Sequence, residues 1–186
     1  MVKDTHAEQA VLSRVLAGVR RLDADTTLTA VLDSLGELIA AFSGRAAILV
    51  IEENDKIRPW RFVGFSPDRG DVSALPLTDA DLSFMNKIVI EGQTCLLSST
   101  DGGDTNSGKI SFAELTEDRH ALVVPVVIGD DVMVLVYADD VSFVSPLPVS
   151  SWSEAVELLA RYAGRRLEGL TVDRALSSTR ESIVRN

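Results

Sequence analysis

The stretch that decides the fold is residues 121–137, which reads ALVVPVVIGDDVMVLVY. Two apolar runs, rich in β-branched residues, flank Gly129, Asp130 and Asp131, and this pattern predicts two antiparallel strands joined by a tight turn. Neither run alternates apolar with polar side chains, so both faces of the resulting sheet should be covered by other elements. Pro125 has no backbone N–H and should therefore lie at an edge, at a bulge, or facing away from a partner strand.

Hydrophobic periodicity on either side of this hairpin predicts the elements that cover it. Apolar residues at helical spacing alternate with short β-branched runs, and polar stretches holding glycine and proline separate them. The predicted elements are helices over residues 7–22 and 27–42, with Gly44 as a stop; strands over 46–51 and 57–65; a helix over 79–91, capped by Thr78 or Asp79 and Gly92; a short strand over 94–98; a final helix over 152–170; and loops over 66–77 and 99–108.

These elements predict an α/β protein of the α+β type, built as a layered sandwich around one antiparallel sheet. The first, second and last helices can cover one face of the sheet. The long excursion from residue 66 to residue 120 must then cover the other. Loops and a short helix pack less regularly than long helices, so a ligand cavity is expected beneath this excursion.

The composition suits a single domain of 186 residues with an ordinary core, since 46% of its residues are hydrophobic. We expect the domain to span residues 1–170, followed by a helical extension or tail over 171–186. A formal charge of −10 repels phosphate backbones, so no nucleic-acid partner is expected. The sequence shows neither an apolar run of membrane-spanning length nor a signal peptide, so we expect a cytoplasmic protein with no membrane partner.

A local pattern adds a family resemblance to this layout. Leu122–Val126, Gly129, the run Val132–Tyr137 and Ala138–Asp139 form an apolar strand with a proline, a glycine turn, and a strand ending in tyrosine and an acid. Together with Leu159, Ala160 and Ala163 in the closing helix, this pattern resembles the GAF family over residues 8–170. Met133 departs from it, because the family usually has glycine there. PAS and roadblock domains share a related topology.

The resemblance implies a sensory or regulatory module in signal transduction rather than an enzyme, and it leaves the cofactor unknown. Some GAF domains attach a bilin through a cysteine followed by histidine, but Leu96 follows Cys95 here, and a small buried hydrophobe explains Cys95 as well. One cysteine and two distant histidines do not make a metal site. The cyclic-nucleotide pattern of the family is not matched either, because Ala138-Asp139-Asp140 stands after the last strand. The acids Asp139 and Asp140 are expected to be solvated.

Six residues are candidates for ligand binding. Aromatic residues alternate along the second predicted strand, so one of its faces could meet a ligand, with Arg61 as the charged anchor because burying it unpaired is costly. Two phenylalanines from the excursion could form a lid, an arginine could hold an anion, and a histidine lies at the cavity edge. Core packing is the alternative for the aromatic residues. The candidates are Trp60, Arg61, Phe84, Phe112, Arg119 and His120.

The terminal helices predict a homodimer. Residues 11–22 and 152–170 are amphipathic and should flank the same sheet face, so their remaining apolar positions could pair with a second copy in a two-fold seam. A signalling protein partner is also possible. Three functions stay open: a sensory module that relays ligand binding through these helices, a ligand-free interaction scaffold whose cavity is filled by Trp60, Phe62, Phe65 and Phe112, and, least supported, an enzyme.

Overall fold

The computed structural model describes residues 2–52, 56–65, 77–98, 110–113, 115–116, 118–143, 150 and 152–184, with side chains described between residues 9 and 176. The predicted loops over 66–77 and 99–108 lie outside this part of the chain, apart from Leu77. The elements are α1 (Val2–Ala24), α2 (Leu28–Ser43), β1 (Arg45–Glu52), β2 (Lys56–Val63), α3 (Asp79–Glu91), β3 (Cys95–Ser98), β4 (His120–Ile128), β5 (Asp131–Asp139) and α4 (Ser153–Val184).

The strands form one antiparallel sheet in the order β2-β1-β5-β4-β3. The predicted hairpin is confirmed: β4 and β5 pair from Ala121 opposite Asp139 to Ile128 opposite Asp131. Gly129 turns the chain with a φ of 66°, a conformation that glycine adopts without strain. The hairpin contributes two of the three inner strands, which explains its uninterrupted apolar character.

Pro125 lies at a free stretch of sheet edge, as its missing N–H requires. It is opposite Leu135 of β5 on one side. On the other side β3 pairs with β4 only as far as Val123, so no strand of the described chain continues past that residue. The proline therefore removes a donor where no ladder hydrogen bond is formed.

Both faces of the sheet are covered, which confirms the predicted layered sandwich. On one face alternate strand residues such as Ile48, Val124 and Val136 pack against α1, α2 and α4. On the other face Leu49, Val123, Leu135 and Tyr137 pack against α3 and residues 110–113. We call these the helix side and the excursion side. Burial of each large aliphatic side chain is worth about 1.5–3 kcal/mol, so both faces stabilise the sheet.

Local signals begin and end the inner helices where the sequence predicts. The Thr27 hydroxyl accepts the amide of Ala30 at 3.2 Å at the start of α2, and Gly44 ends the helix with a φ of 102°. Thr78 and Asp81 form a capping box at the start of α3, and Gly92 closes it with a φ of 62°. Each cap satisfies a helix-end backbone group that would otherwise lack a partner.

Helix α4 lies across β4 and continues beyond the sheet. A side chain is not tolerated at Gly164, because a Cβ there would lie 2.6 Å from the carbonyl oxygen of Val127. Further along, Leu167 is buried, and Leu170 is the last residue that packs on the core among the side chains of α4 described up to residue 176. The helix runs on to Val184, so residues 171–184 are helical.

Two glycines of α4 should respond oppositely to alanine. We expect Gly164→Ala to lower the free energy of unfolding by about 1–3 kcal/mol, because the methyl group would push α4 off the Val127 carbonyl. Gly169→Ala should raise it by about 0.8–1 kcal/mol, since nothing lies within 4 Å of that Cβ and alanine favours the helix. Urea denaturation of both variants measures the difference, and equal effects would contradict the close approach of α4 to β4.

Candidate functional site

The structure separates the six predicted site residues between the two faces of the sheet. In β2, Arg61 lies opposite Ile48 while Pro59 lies opposite Leu49, so Trp60 is the extra residue of a β-bulge. A bulge breaks the two-residue alternation of side chains. Trp60 follows the alternation that begins with Ile57 on the excursion side, so it packs on the helix side. The bulge places Arg61 on the same side, where it meets α2.

The polar groups of Trp60 and Arg61 bind side chains of helix α2. The indole N–H of Trp60 donates to Asp33 at 3.1 Å. The Arg61 guanidinium lies 3.2 Å from Asp33 and 2.8 Å from Glu37. The predicted grouping of both residues with Phe84 and Phe112 around one ligand is therefore not found, because Trp60 and Arg61 lie on the opposite face of the sheet.

The excursion side holds an aromatic cluster. Phe112 is buried, with its ring centroid 5.3 Å from that of Phe62 and 5.1 Å from that of Tyr137, and Phe65 completes the group at 5.2 Å from Phe62. Phe84 of α3 packs against the same core and is partly buried. Edge-to-face rings of this kind stabilise one another beyond their buried area. This part of the excursion side is therefore filled by side chains.

At the end of the sheet lies a buried ion pair that the sequence did not indicate. The Arg45 guanidinium, at the start of β1, donates to both carboxylate oxygens of Asp139, at the end of β5, over 2.7 and 2.6 Å. The Tyr137 hydroxyl and the Val141 amide donate to the same carboxylate at 2.5 and 3.0 Å. Asp139 is fully buried, so these four hydrogen bonds replace its water.

The same arginine holds the excursion. Its Nη2 donates to the carbonyl oxygen of Ala113 at 2.5 Å, and its guanidinium carbon lies 4.5 Å from the centre of the Phe65 ring. Burial lowers the pKa of Arg45, but the hydrogen bond and charge of Asp139 outweigh this and raise the pKa. Burial and the Asp139 carboxylate raise the pKa of Tyr137 well above its usual value, so its hydroxyl keeps the proton that it donates.

The neighbouring acid, Asp140, is in contact with a second arginine, Arg119. Asp140 is fully buried, and its side chain accepts the backbone amide of His120 at 3.2 Å. Arg119 donates to the carbonyl oxygens of Asp140 at 2.9 Å and Phe143 at 2.7 Å. The expectation that Asp139 and Asp140 are solvated is thus wrong, because two arginines from distant positions cover them. We call Arg45, Asp139, Asp140 and Arg119 the carboxylate hub.

Residues 110–113, which we call the strap, are held at both ends. The Ser111 amide donates to Asp81 at 2.7 Å, its hydroxyl donates to the same carboxylate, and Thr78 adds further donors. At the other end Arg45 holds the Ala113 carbonyl. Burial raises the pKa of Asp81, but the hydrogen bonds from Ser111 and Thr78 prevail and lower it. The Phe112 side chain is thereby fixed in the aromatic cluster.

The two remaining predicted residues lie next to the hub. Arg119 is largely buried and committed to the chain that follows β5. His120 opens β4, and its Nδ1 atom is buried with no partner in the described part of the chain. The ligand-binding role expected of Arg119 and His120 stays a prediction, and the pairing of Arg45 with Asp139 was not predicted from the sequence. The available signal was a charged residue directly next to an apolar strand at each of these positions.

No group of three or more histidine, cysteine, aspartate or glutamate side chains that could hold a metal occurs among the described residues. Burial raises the pKa of the Cys95 thiol, which favours its unreactive protonated form. The predicted cavity under the excursion would also be lined by residues outside the described ranges.

No helix in the described part of the chain is long and apolar enough to cross a membrane.

Solved structures resemble this one over most of its length. One is the GAF domain/HD domain protein from Geobacter sulfurreducens, which is 18% identical with a TM-score of 0.61, the match covering 81% of this chain and 98% of that chain. Another is residues 122 to 287 of a methyl-accepting chemotaxis protein, which is 14% identical with a TM-score of 0.68, the match covering 85% of this chain and 99% of that chain. The GAF domain of the potassium sensor histidine kinase KdpD from Escherichia coli is similar too, at 13% identity and a TM-score of 0.54, with 88% of this chain and 96% of that chain covered. No family model and no curated protein matches the sequence. The chain therefore has a GAF-like α+β fold, as its sequence pattern predicts.

Breaking the buried ion pair should be costly. We expect Arg45→Met to lower the free energy of unfolding by about 3–5 kcal/mol, because it leaves the Asp139 carboxylate buried without its cation. The matched control is Arg165→Met, which removes an exposed pair with Glu168 and should cost less than about 1 kcal/mol. Urea denaturation at pH 7 compares the two, and a similar small loss in both would show that Asp139 does not depend on Arg45.

The strap should make stability depend on pH through Asp81. The pKa of Asp81 is lower in the folded protein than in the unfolded chain. The contribution of its ionised carboxylate to folding stability is therefore complete above the unfolded-state pKa of about 3.9 and is lost as the pH falls through the folded-state pKa. We expect Asp81→Asn to be less stable than the parent at pH 7 and this deficit to shrink towards pH 2. Urea denaturation across this range measures it, with the exposed Asp131→Asn as control; a constant deficit would contradict the assignment.

Proposed function

We propose that the protein is a regulatory sensory module that binds an occupant on its excursion side and relays this state to its terminal helices. The fold supports a role of this kind, since similar solved structures include domains of a sensor histidine kinase and of a methyl-accepting chemotaxis protein. The chain recognises rather than transforms its ligand in this proposal. The ligand is a small molecule or a segment of a signalling partner.

The observation that carries the proposal is the carboxylate hub, because it joins three elements that must move together in a relay. Arg45 connects the strap to the end of β5. Arg45 also follows Gly44 directly, where α2 ends, and a Cβ on Gly44 would lie 3.0 Å from the Phe143 ring. Arg119 in turn holds the Phe143 carbonyl on the chain that leads to α4.

Displacement of the strap can reach both helices through these contacts. Moving Ala113 would remove one of the acceptors of the Arg45 guanidinium, and Arg45 shares its backbone with the end of α2. A ligand drives such a change only if it binds the two arrangements with different affinity. Phe84, Phe112, Arg119 and His120 border the proposed binding region, and the His120 Nδ1 atom, which has no partner among the described residues, offers a hydrogen-bonding atom there.

The output in this proposal is a homodimer formed through the terminal helices. On α1 Leu12 and Leu16 are exposed one turn apart, and on α4 Val172 and Leu176 are exposed with the same spacing. These side chains make two apolar stripes that water disfavours. Pairing with the same stripes of a second copy would bury them and place both α4 extensions side by side.

A ligand-free interaction scaffold is the second candidate function. The favouring observation is the aromatic cluster, in which Phe62, Phe65, Phe112 and Tyr137 fill their part of the excursion side by direct ring contacts. In that case the hub is a purely structural clamp, and the outer surface recruits a protein partner. The two candidates differ in whether a small molecule is bound.

The relay predicts energetic coupling between the strap and α4. Ser111→Ala removes the hydroxyl hydrogen bond to Asp81, and we expect faster amide hydrogen exchange in the first turns of α4, by about fivefold or more. In an Arg119→Met background the same substitution should have no further effect there, because the connection to Phe143 is already lost. Amides in the middle of β1 serve as control. Simple additivity of the two substitutions would contradict the relay.

Native mass spectrometry of protein purified from its own host tests the ligand and the dimer together. We expect a dimer that carries the added mass of a small molecule. Leu12→Glu with Leu16→Glu should give monomers, because it places charges in the apolar seam, whereas Ile90→Glu on the exposed face of α3 should leave the dimer intact. A dimer without added mass favours the scaffold function. A monomeric parent protein contradicts pairing through the terminal helices.

A further inference from the structure

A groove with a volume of about 660 Å³ lies between α4 and the edge of β4, apart from the aromatic cluster and the strap. Val124, Pro125 and Val127 form one wall, and Leu158, Arg161 and Arg165 form the other. The end of α3 and Thr94, just before β3, close it on a third side. The volume is in the range of small-molecule sites.

The groove is not suited to an added β-strand, although it borders a free sheet edge. Pro125 has no N–H to donate, and the pairing of β4 shifts register between Val126 and Val127. The Val127 carbonyl oxygen is packed against Gly164 of α4. With these backbone groups blocked or redirected, an occupant must bind through side chains.

The side chains that line the groove are apolar in its middle, and two arginines lie at its rim. Leu158 is 51% exposed and Val127 is 45% exposed, so both present apolar surface to an occupant. Arg161 and Arg165 follow on successive turns of the same helix, about 6 Å apart at their Cβ atoms. Residues 158–167 hold three arginines and no acid, although Glu157, which also lines the groove, and Glu168 flank this segment.

Both rim arginines are available to a ligand. Arg161 is paired with Glu157 at 3.4 Å and Arg165 with Glu168 at 3.1 Å, but their side chains are 73% and 82% exposed. Exposed pairs of this kind are worth only about 0–1 kcal/mol. A carboxylate that receives hydrogen bonds from both guanidinium groups can therefore displace the intrahelical partners.

We propose that this groove binds an organic carboxylate with an apolar body. The apolar body lies along Val124, Val127 and Leu158, and the carboxylate lies between Arg161 and Arg165. The site is apart from the aromatic cluster and the strap, so the proposal does not rest on the function proposed above. It has a route to the output helices, because Tyr162 also lines the groove and its hydroxyl donates to Asp23, at the end of α1, at 2.5 Å.

The test is a titration of the isotope-labelled protein with octanoate, followed by amide chemical shifts, with 1-octanol as the uncharged match. We expect saturable shifts confined to residues 92–94, 124–129 and 157–165, and affinity for 1-octanol at least about tenfold weaker, or 1.4 kcal/mol. Arg161→Gln with Arg165→Gln should weaken octanoate binding about tenfold without lowering the melting temperature. Arg174→Gln, elsewhere on α4, should leave it unchanged.

Four results would overturn the proposal. They are the absence of saturable shifts, shifts that map to the aromatic cluster and the strap, equal affinity for octanoate and 1-octanol, and equal octanoate affinity in the double Gln variant and the parent. A groove whose amides shift with protein concentration alone would show that a second copy of the chain occupies it, and this would overturn the carboxylate assignment as well. None of these results bears on the relay through the carboxylate hub.

Discussion

One buried charge constrains the end of the sheet where β1 begins and β5 ends. The Asp139 carboxylate has no access to water, and an unpaired carboxylate in such a place would cost several kcal/mol. Folding can bury it only if Arg45, the Tyr137 hydroxyl and the Val141 amide are all in position. The start of β1, the end of β5 and the chain after β5 must therefore assemble together.

The arginine that satisfies Asp139 extends this constraint to the excursion. Its Nη2 atom also donates to the Ala113 carbonyl, and its flat face covers the Phe65 ring. The strap is held at its other end by Asp81. These charge-assisted hydrogen bonds add fixed points to the apolar packing of α3 and the strap on the sheet.

The helix side of the sheet is apolar as well, and its core lies between one face of the sheet and the stripes of α2 and α4. Such packing is dense, so it has low compressibility and transmits strain. The carboxylate hub differs from both apolar faces and lies at the end of the sheet where β1 begins and β5 ends.

The sequence by itself determined the elements, their caps and the two-faced sheet, because these depend on the spacing of neighbouring residues. The hairpin around Gly129 and the stop at Gly44 are local properties of this kind. Only the tertiary structure decided the site. A single bulge at Trp60 places Arg61 on the same face as Trp60, away from Phe84 and Phe112, and no local pattern marks a bulge. Arg45 and Asp139 are 94 positions apart, so their pairing depends on the strand order, which is a property of the folded chain as a whole.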